Sequence, residues 1–253
     1  MPCAWTTKLL CVALLWGCGP DEPPLKRAPS AVLTGRVLLA DGAALPAYAA
    51  YDVIRNPLHA PTPDSVPAEC ARSNEEARHA VALGPGRTLG GVVVAAADFT
   101  HVTERKPVTH TVSIDGCRLR PATVAAMGGD TLRVENRERF SFAPMFGPAF
   151  KSAPLTRGHP VDVTLAAGSV ESILCAPSAP CGRTDVVAFH HPAFAVSDAH
   201  GAFRIDHFPA GEMVRVSAWH PLFELEETFV WIDAGKTSSV DLVLRPKARF
   251  VAP

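Results

Sequence analysis

Short runs in which apolar and polar residues alternate recur along most of the chain. Residues 31–39 (AVLTGRVLL), 109–114, 130–135, 161–165, 203–205, 214–219 and 240–244 all read with period two. That period sets one face of a strand on a core and the other in water. Residues 91–95 (GVVVA) are apolar throughout and predict a strand buried on both faces. Asp41-Gly42 closes the first run with a turn signal. Only residues 74–83 (NEEARHAVAL) look helical, with Asn74 as the cap. Many short strands and so little helix predict an all-β chain built of packed β-sandwiches.

Composition narrows the classes. With 47% hydrophobic and 19% charged residues the 253-residue chain is not disordered, and it is long enough for one large or two small domains. Its 24 prolines agree with an all-β fold. A formal charge of −1 and the lack of any Lys/Arg run exclude nucleic acid as the expected partner. Long irregular stretches such as 142–160 end before residues 182–192, where a boundary is expected. The remainder, about 60 residues, is small for a core of its own and is expected to pack on the first domain.

Lys8 followed by the apolar run 9–16 (LLCVALLW) reads as a secretory signal, too short to span a bilayer as a mature helix. Its end, Leu15-Trp16-Gly17-Cys18, resembles the lipobox of bacterial lipoproteins. The resemblance implies removal of residues 1–17 and acylation of Cys18, so that the membrane is a partner through a lipid anchor. Gly19 after the Cys implies the outer membrane, with the protein facing the periplasm or the cell surface. Ordinary secretion with cleavage nearby is the alternative. Residues 18–30 are polar and Pro-rich and read as a tether. Cys3 and Cys11 leave with the signal, which leaves Cys70, Cys117, Cys175 and Cys181. Four cysteines in an oxidising compartment favour two disulfides among three connectivities, and Cys70–Cys117 with Cys175–Cys181 is preferred.

Two further stretches carry resemblances. Residues 115–121 (DGCRLRP) and 129–136 (GDTLRVEN) resemble the cupredoxin-like half of periplasmic methylamine-utilisation or plastocyanin-like proteins. Residues 195–205 (AVSDAHGAFRI), 209–212 and 216–220 are similar to the carboxypeptidase-regulatory, transthyretin-like domain. Together they imply a cupredoxin-like sandwich over 31–185, a regulatory-like sandwich over 186–246 and a tail at 247–253. In the second motif, Asp198-x-x-Gly201 is a tight turn in which Gly201 supplies a positive φ, and Phe203 and Ile205 share a core face.

A type 1 copper centre needs two imidazoles, a thiolate and a weak axial ligand. The family places its first His shortly after the Asn that corresponds to Asn136, yet residues 137–142 (RERFSF) contain none. Its Cys-x-x-His-x-x-Met pattern is met here by Cys175, Ser178 and Cys181. The resemblance therefore implies lost copper ligands, no cofactor and a loop closed by a disulfide. The alternative is a periplasmic copper-binding or electron-transfer protein with a rearranged site drawn from Cys175, Cys181, His190 and His191. His220, beside Trp219, reads as a packed or rim residue, and the other histidines read as surface. Neither a Gly-x-Ser-x-Gly elbow nor a Gly-x-x-x-x-Gly-Lys loop occurs, and Glu224, Glu226 and Glu227 read as a solvated loop, so no enzyme is expected. Phe140, Phe142, Met145, Phe146 and Phe150 mark the loop 140–150 as a lid on the sandwich or, if it is not buried, a patch for an envelope protein partner. The expected function is non-catalytic binding or scaffolding at the cell envelope.

Overall fold

The computed structural model describes residues 30–49, 53, 70, 76–100, 105–147, 154–176 and 179–251. Strands β1 (Ser30–Leu39), β2 (Ala82–Leu83), β3 (Leu89–Gly90) and β4 (Val93–Ala97) come first. A middle group follows: β5 (Thr109–Asp115), β6 (Arg118–Arg120), β7 (Thr123–Met127), β8 (Thr131–Asn136), β9 (Pro144–Phe146), β10 (Val161–Thr164), β11 (Val170–Cys175) and β12 (Arg183–Phe189). The last group is β13 (Phe194–Val196), β14 (Ala202–Pro209), β15 (Met213–Trp219), β16 (Glu226–Trp231), β17 (Thr237–Ser239) and β18 (Leu242–Leu244). The chain is an all-β protein of two sandwiches.

One sandwich, termed split here, stacks the sheet β14-β1-β17, with β18 also on β1, over the sheet β13-β4-β15-β16. Leu33, Val37, Phe203 and Ile205 from the first sheet meet Val94, Val214 and Val216 from the second. The other, inserted, sandwich stacks β10-β8-β5-β6 over β7-β12-β11-β9, with Val112, Ile114, Leu132 and Val134 facing Val124, Ile173 and Val186. Strand pairing thus draws the partition differently from a single crossing at 185–186. Residues 30–39 and 93–97 belong with the C-terminal strands, and 109–189 are inserted between them. Alternation in β1 assigns a buried face but does not name the strand beside it, so the sequence left the partner of β1 open.

The register shows why β1 suits the centre of its sheet. Ala31, Leu33, Val37 and Leu39 point into the core, and β1 pairs antiparallel with β14 (Leu33 opposite Ile205). On its other edge it pairs parallel first with β17 and then with β18. Where those two strands break, the carbonyl of Val240 crosses so close that a Cβ on Gly35 would lie 1.7 Å from it, which only glycine permits. The expected turn into β14 is present. Gly201 sits at φ +73°, its N–H reaches the Asp198 carbonyl at 2.9 Å, and the Asp198 carboxylate accepts from the N–H groups of His200 and Ala202. Phe203 and Ile205 are both buried in the split core.

Of the helix expected over 74–83, Glu76 is helical and the helix does not continue beyond it. A single turn at 76–78 ends with His79 N–H on the Glu76 carbonyl, and Ala82–Leu83 is a strand paired with β3. Helical spacing lost because the Arg78 carbonyl accepts the Tyr48 N–H and Val81 is drawn into the split core. Asn74 lies outside the described residues.

Candidate functional site

The loop that resembles a copper loop is built from the ends of β11 and β9. Cys175 closes β11, pairs across to Pro144, and is bonded to Cys181, both sulfurs being fully buried. Their surroundings are hydrocarbon: Phe142, Phe146, Leu155 and Ile173 share the same core. Asn136, at the end of β8, holds the turn that follows it. Its Nδ2 donates to the Phe140 and Leu155 carbonyls at 2.6 and 2.9 Å, and its Oδ1 accepts the Glu138 N–H at 2.8 Å. This donor set does not fit a type 1 copper ion, which needs a free thiolate and two imidazoles.

The four candidates for a rearranged Cys/His site are not brought together. Val170 pairs with Val187 and Leu174 with Arg183, so Cys175 lies at one end of the β11–β12 pair and His190 and His191 beyond the other. His191 packs its ring 4.8 Å from that of Phe99 and accepts the Ala193 N–H on Nδ1, while burial, then the neighbouring His190, holds its pKa below the ordinary value. His190 lies against Gly168. Among the described residues, no group of three His, Cys, Asp or Glu side chains could hold a metal ion. The second bridge, Cys70–Cys117, joins the inserted sandwich at a Cα separation of 5.3 Å. Cys18 lies outside the described residues.

A buried polar network that the sequence reading missed sits where the sandwiches meet. Arg183, Asp185, Val187 and Phe189 alternate onto the outer face of β12. There Asp185 accepts from Tyr48 Oη at 2.6 Å, Ser172 Oγ at 2.7 Å and Arg183 Nε at 2.8 Å. The Arg183 guanidinium lies over the Tyr48 ring at 4.6 Å and donates to Ser172 Oγ. Tyr48 comes from the split sandwich, so one carboxylate ties both units. Burial, and then the Asp185 charge, raise the Tyr48 pKa far above the ordinary phenol range, so it stays a donor. His220 completes the cluster with its ring 6.3 Å from Tyr48. It is fully buried, its Nδ1 accepts the Leu222 N–H at 3.3 Å, and its Nε2 has no hydrogen-bond partner among the described residues. Burial, reinforced by Arg183 and Lys247 and opposed by Asp185, pulls it down to about 4. Neutral imidazole packed among aromatics agrees with the packed reading. One signal was available: Asp185 opens the apolar run DVVAF, and a charge inside such a run needs a partner.

A second buried carboxylate, Asp130, ties the head of β8 to β5. It takes hydrogen bonds from Arg105, His110 Nε2 (2.8 Å) and the N–H groups of Val108 and Met127. Burial alone would raise its pKa, but these donors outweigh it and bring the carboxyl down to about 2. His110 is therefore a structural partner rather than a free surface group.

Of the two readings of 140–150, partner patch or lid, the described residues are covered as a lid would be. Phe142 and Phe146 are core residues, Phe140 and Met145 are half-buried, and residues 144–146 form β9 against β11. Phe150 lies outside the described residues. Exposed apolar side chains gather instead on the sheet β13-β4-β15-β16. Part of its outer face is covered by the inserted sandwich, through Val93, Phe194, Val196 and Trp219 against Ala125, Val187 and Phe189. Beside that contact opens a cleft of about 190 Å³ lined by Val93, Ala95, Val170, Val187, Phe189, Ser217, Trp219 and Leu225. Glu226 and Glu227, read from sequence as loop, lie on β16, and Glu227 takes the Arg215 guanidinium.

No family model and no curated protein sequence matches the chain. Among solved structures it is similar to amicyanin from Paracoccus versutus, at 21% identity over 34% of this chain and 94% of that one, with a TM-score of 0.29. It is also similar to the copper-containing nitrite reductase from Thermus scotoductus, at 18% identity over 36% of this chain and 25% of that one, with a TM-score of 0.25. Overlap of this size is partial and weak, and it assigns neither ligand nor activity.

Proposed function

We propose that the chain is a lipid-anchored, non-catalytic protein of the cell envelope that binds or scaffolds at the membrane surface and lacks the copper centre of the proteins it resembles. The observation that carries this reading is the Cys175–Cys181 bridge inside a hydrocarbon core. A disulfide offers no thiolate, and this one belongs to the same buried apolar core as Phe142, Phe146 and Leu155. The anchor rests on Leu15-Trp16-Gly17-Cys18.

Copper titration of the purified mature protein tests the first half. We expect no stoichiometric copper after gel filtration and no intense visible charge-transfer band; either one would overturn the reading in favour of a copper-binding or electron-transfer protein. Membrane fractionation tests the second half. Cys18→Ser should move the protein from the membrane to the soluble fraction, and unchanged fractionation would remove the anchor from the account.

A further inference from the structure

Among the described residues, the outer face of the sheet β13-β4-β15-β16 is covered on its β13 side. At the opposite edge Met213, Phe229 and Trp231 are 55%, 65% and 54% exposed. Met213 pairs directly with Trp231, and Phe229 lies two residues back on the same face of the edge strand β16, so the three form an apolar patch bordered by Arg215, opposite Phe229, with its partners Asp98 and Glu227. This edge lies at the end of the split sandwich where β1 begins. Ser30 is opposite Pro209 and accepts the Gly235 N–H at 2.9 Å, while the Gly211 N–H reaches the Ile232 carbonyl at 2.9 Å. The turns that receive the N-terminal strand are thus the turns that carry Met213 and Trp231.

We propose that this patch is the protein's contact with the bilayer, resting at headgroup depth on the leaflet that holds the acyl chains of Cys18. The inference rests on the lipid-anchor reading above and extends it by giving the protein an orientation on the membrane. The stretch from Cys18 to Ser30 reaches about 40 Å at most, several times the roughly 10 Å between stacked sheets, so the anchor can lie on either side of the sandwich. The chemistry suits an interface. Trp231 has an apolar body and a polar tip, its Nε1–H held by Asp233 at 3.2 Å, and such side chains favour the boundary between hydrocarbon and water. Lys236, exposed in the adjoining turn, is placed to meet lipid phosphate. Because the tether confines the patch near the surface, a contact too weak to bind a free protein is enough.

The test uses the acylated full chain in vesicles of phosphatidylethanolamine and phosphatidylglycerol whose acyl chains are brominated near the headgroup. Flotation with the vesicles reports the anchor; bromine quenching of indole emission reports the contact. We expect the protein to float and its emission to be quenched, with the quenching lost in Trp231→Phe and reduced in Met213→Ser/Phe229→Ser. Because all three side chains are exposed, the thermal midpoint of both variants should match that of the parent. A protein that floats without quenching overturns the contact alone. If that protein also runs as a dimer in detergent, the patch belongs to a second copy. A protein that neither floats nor carries acyl chains overturns the anchor, and the contact with it.

Discussion

The split sandwich closes its core with strands from both ends of the described chain, β1 lying between β14 and the pair β17 and β18. The inserted sandwich is assembled from one continuous run, 109–189, and both disulfides reach into it. Their buried titratable groups differ in the same sense. The inserted unit carries Asp130 and Asp185, each held by several donors, whereas the split unit buries a neutral His220 whose Nε2 finds no partner among the described residues. The inserted unit is stabilised by covalent and charge-assisted links, of which Cys70–Cys117 and Tyr48–Asp185 reach in from outside the run. The discontinuous one depends on packing apolar strands brought from far apart, at a larger loop-closure cost.

Removing the bridges is the strongest way to break that comparison. Cys70–Cys117 spans 47 residues and Cys175–Cys181 only 6. Loop-closure entropy then assigns about 4 kcal/mol to the first and about 2 kcal/mol to the second. The Cys70→Ala/Cys117→Ala variant should therefore lose more stability than Cys175→Ala/Cys181→Ala, as read by urea denaturation. The reverse order would mean that the small loop matters chiefly by filling the core beside Phe142 and Ile173.

Acid should separate the units next. His220 is held near 4 in the fold against an ordinary value of 6.5. Its neutral form carries no penalty above 6.5, but below that the unfolded chain gains a proton the fold refuses. Stability is lost progressively as the pH falls from 6.5 to 4, by on the order of 3 kcal/mol. Asp130 behaves differently: held near 2 against 3.8, its contribution is fully present above 3.8 and lost only as the pH falls towards 2. At pH 4.5, amide exchange in β14 and β15 should accelerate while β5 and β8 stay protected. His220→Gln should reduce that pH dependence, leaving the part that His191 contributes; equal acceleration in both units would contradict the contrast.

How much of this was legible in the sequence follows from the same physics. Strands with one wet face, such as β5, β8, β10 and β15, announce themselves by alternation, and the Asp198–Gly201 turn by its glycine. Strands covered on both faces do not: β7 (TVAAM) and β12 (RTDVVAF) lie between a core and the other sandwich and show no period. Alternation is also silent about partners, which is why β1 looked like part of the unit that follows it. The bridge at Cys175–Cys181 could be reasoned from spacing, whereas the Tyr48–Asp185 bond joins residues 137 apart and no local pattern carries it.

That bond is the finest probe of the comparison, because it belongs to both units. Tyr48→Phe deletes one of three donors to a carboxylate that is 1% exposed and leaves the ring beneath Arg183 in place. Ser172 and Arg183 still satisfy Asp185, so the loss should be about 1–2 kcal/mol. Its character should be more telling than its size. If the hydroxyl serves mainly to join the sandwiches, the variant should unfold over a broader transition, the split unit first, with the inserted unit's midpoint nearly unmoved. If both units shift together in one sharp transition, the apolar contact of Val93, Phe194 and Trp219 with Val187 and Phe189 is sufficient to couple them, and the network only stabilises the charge it surrounds.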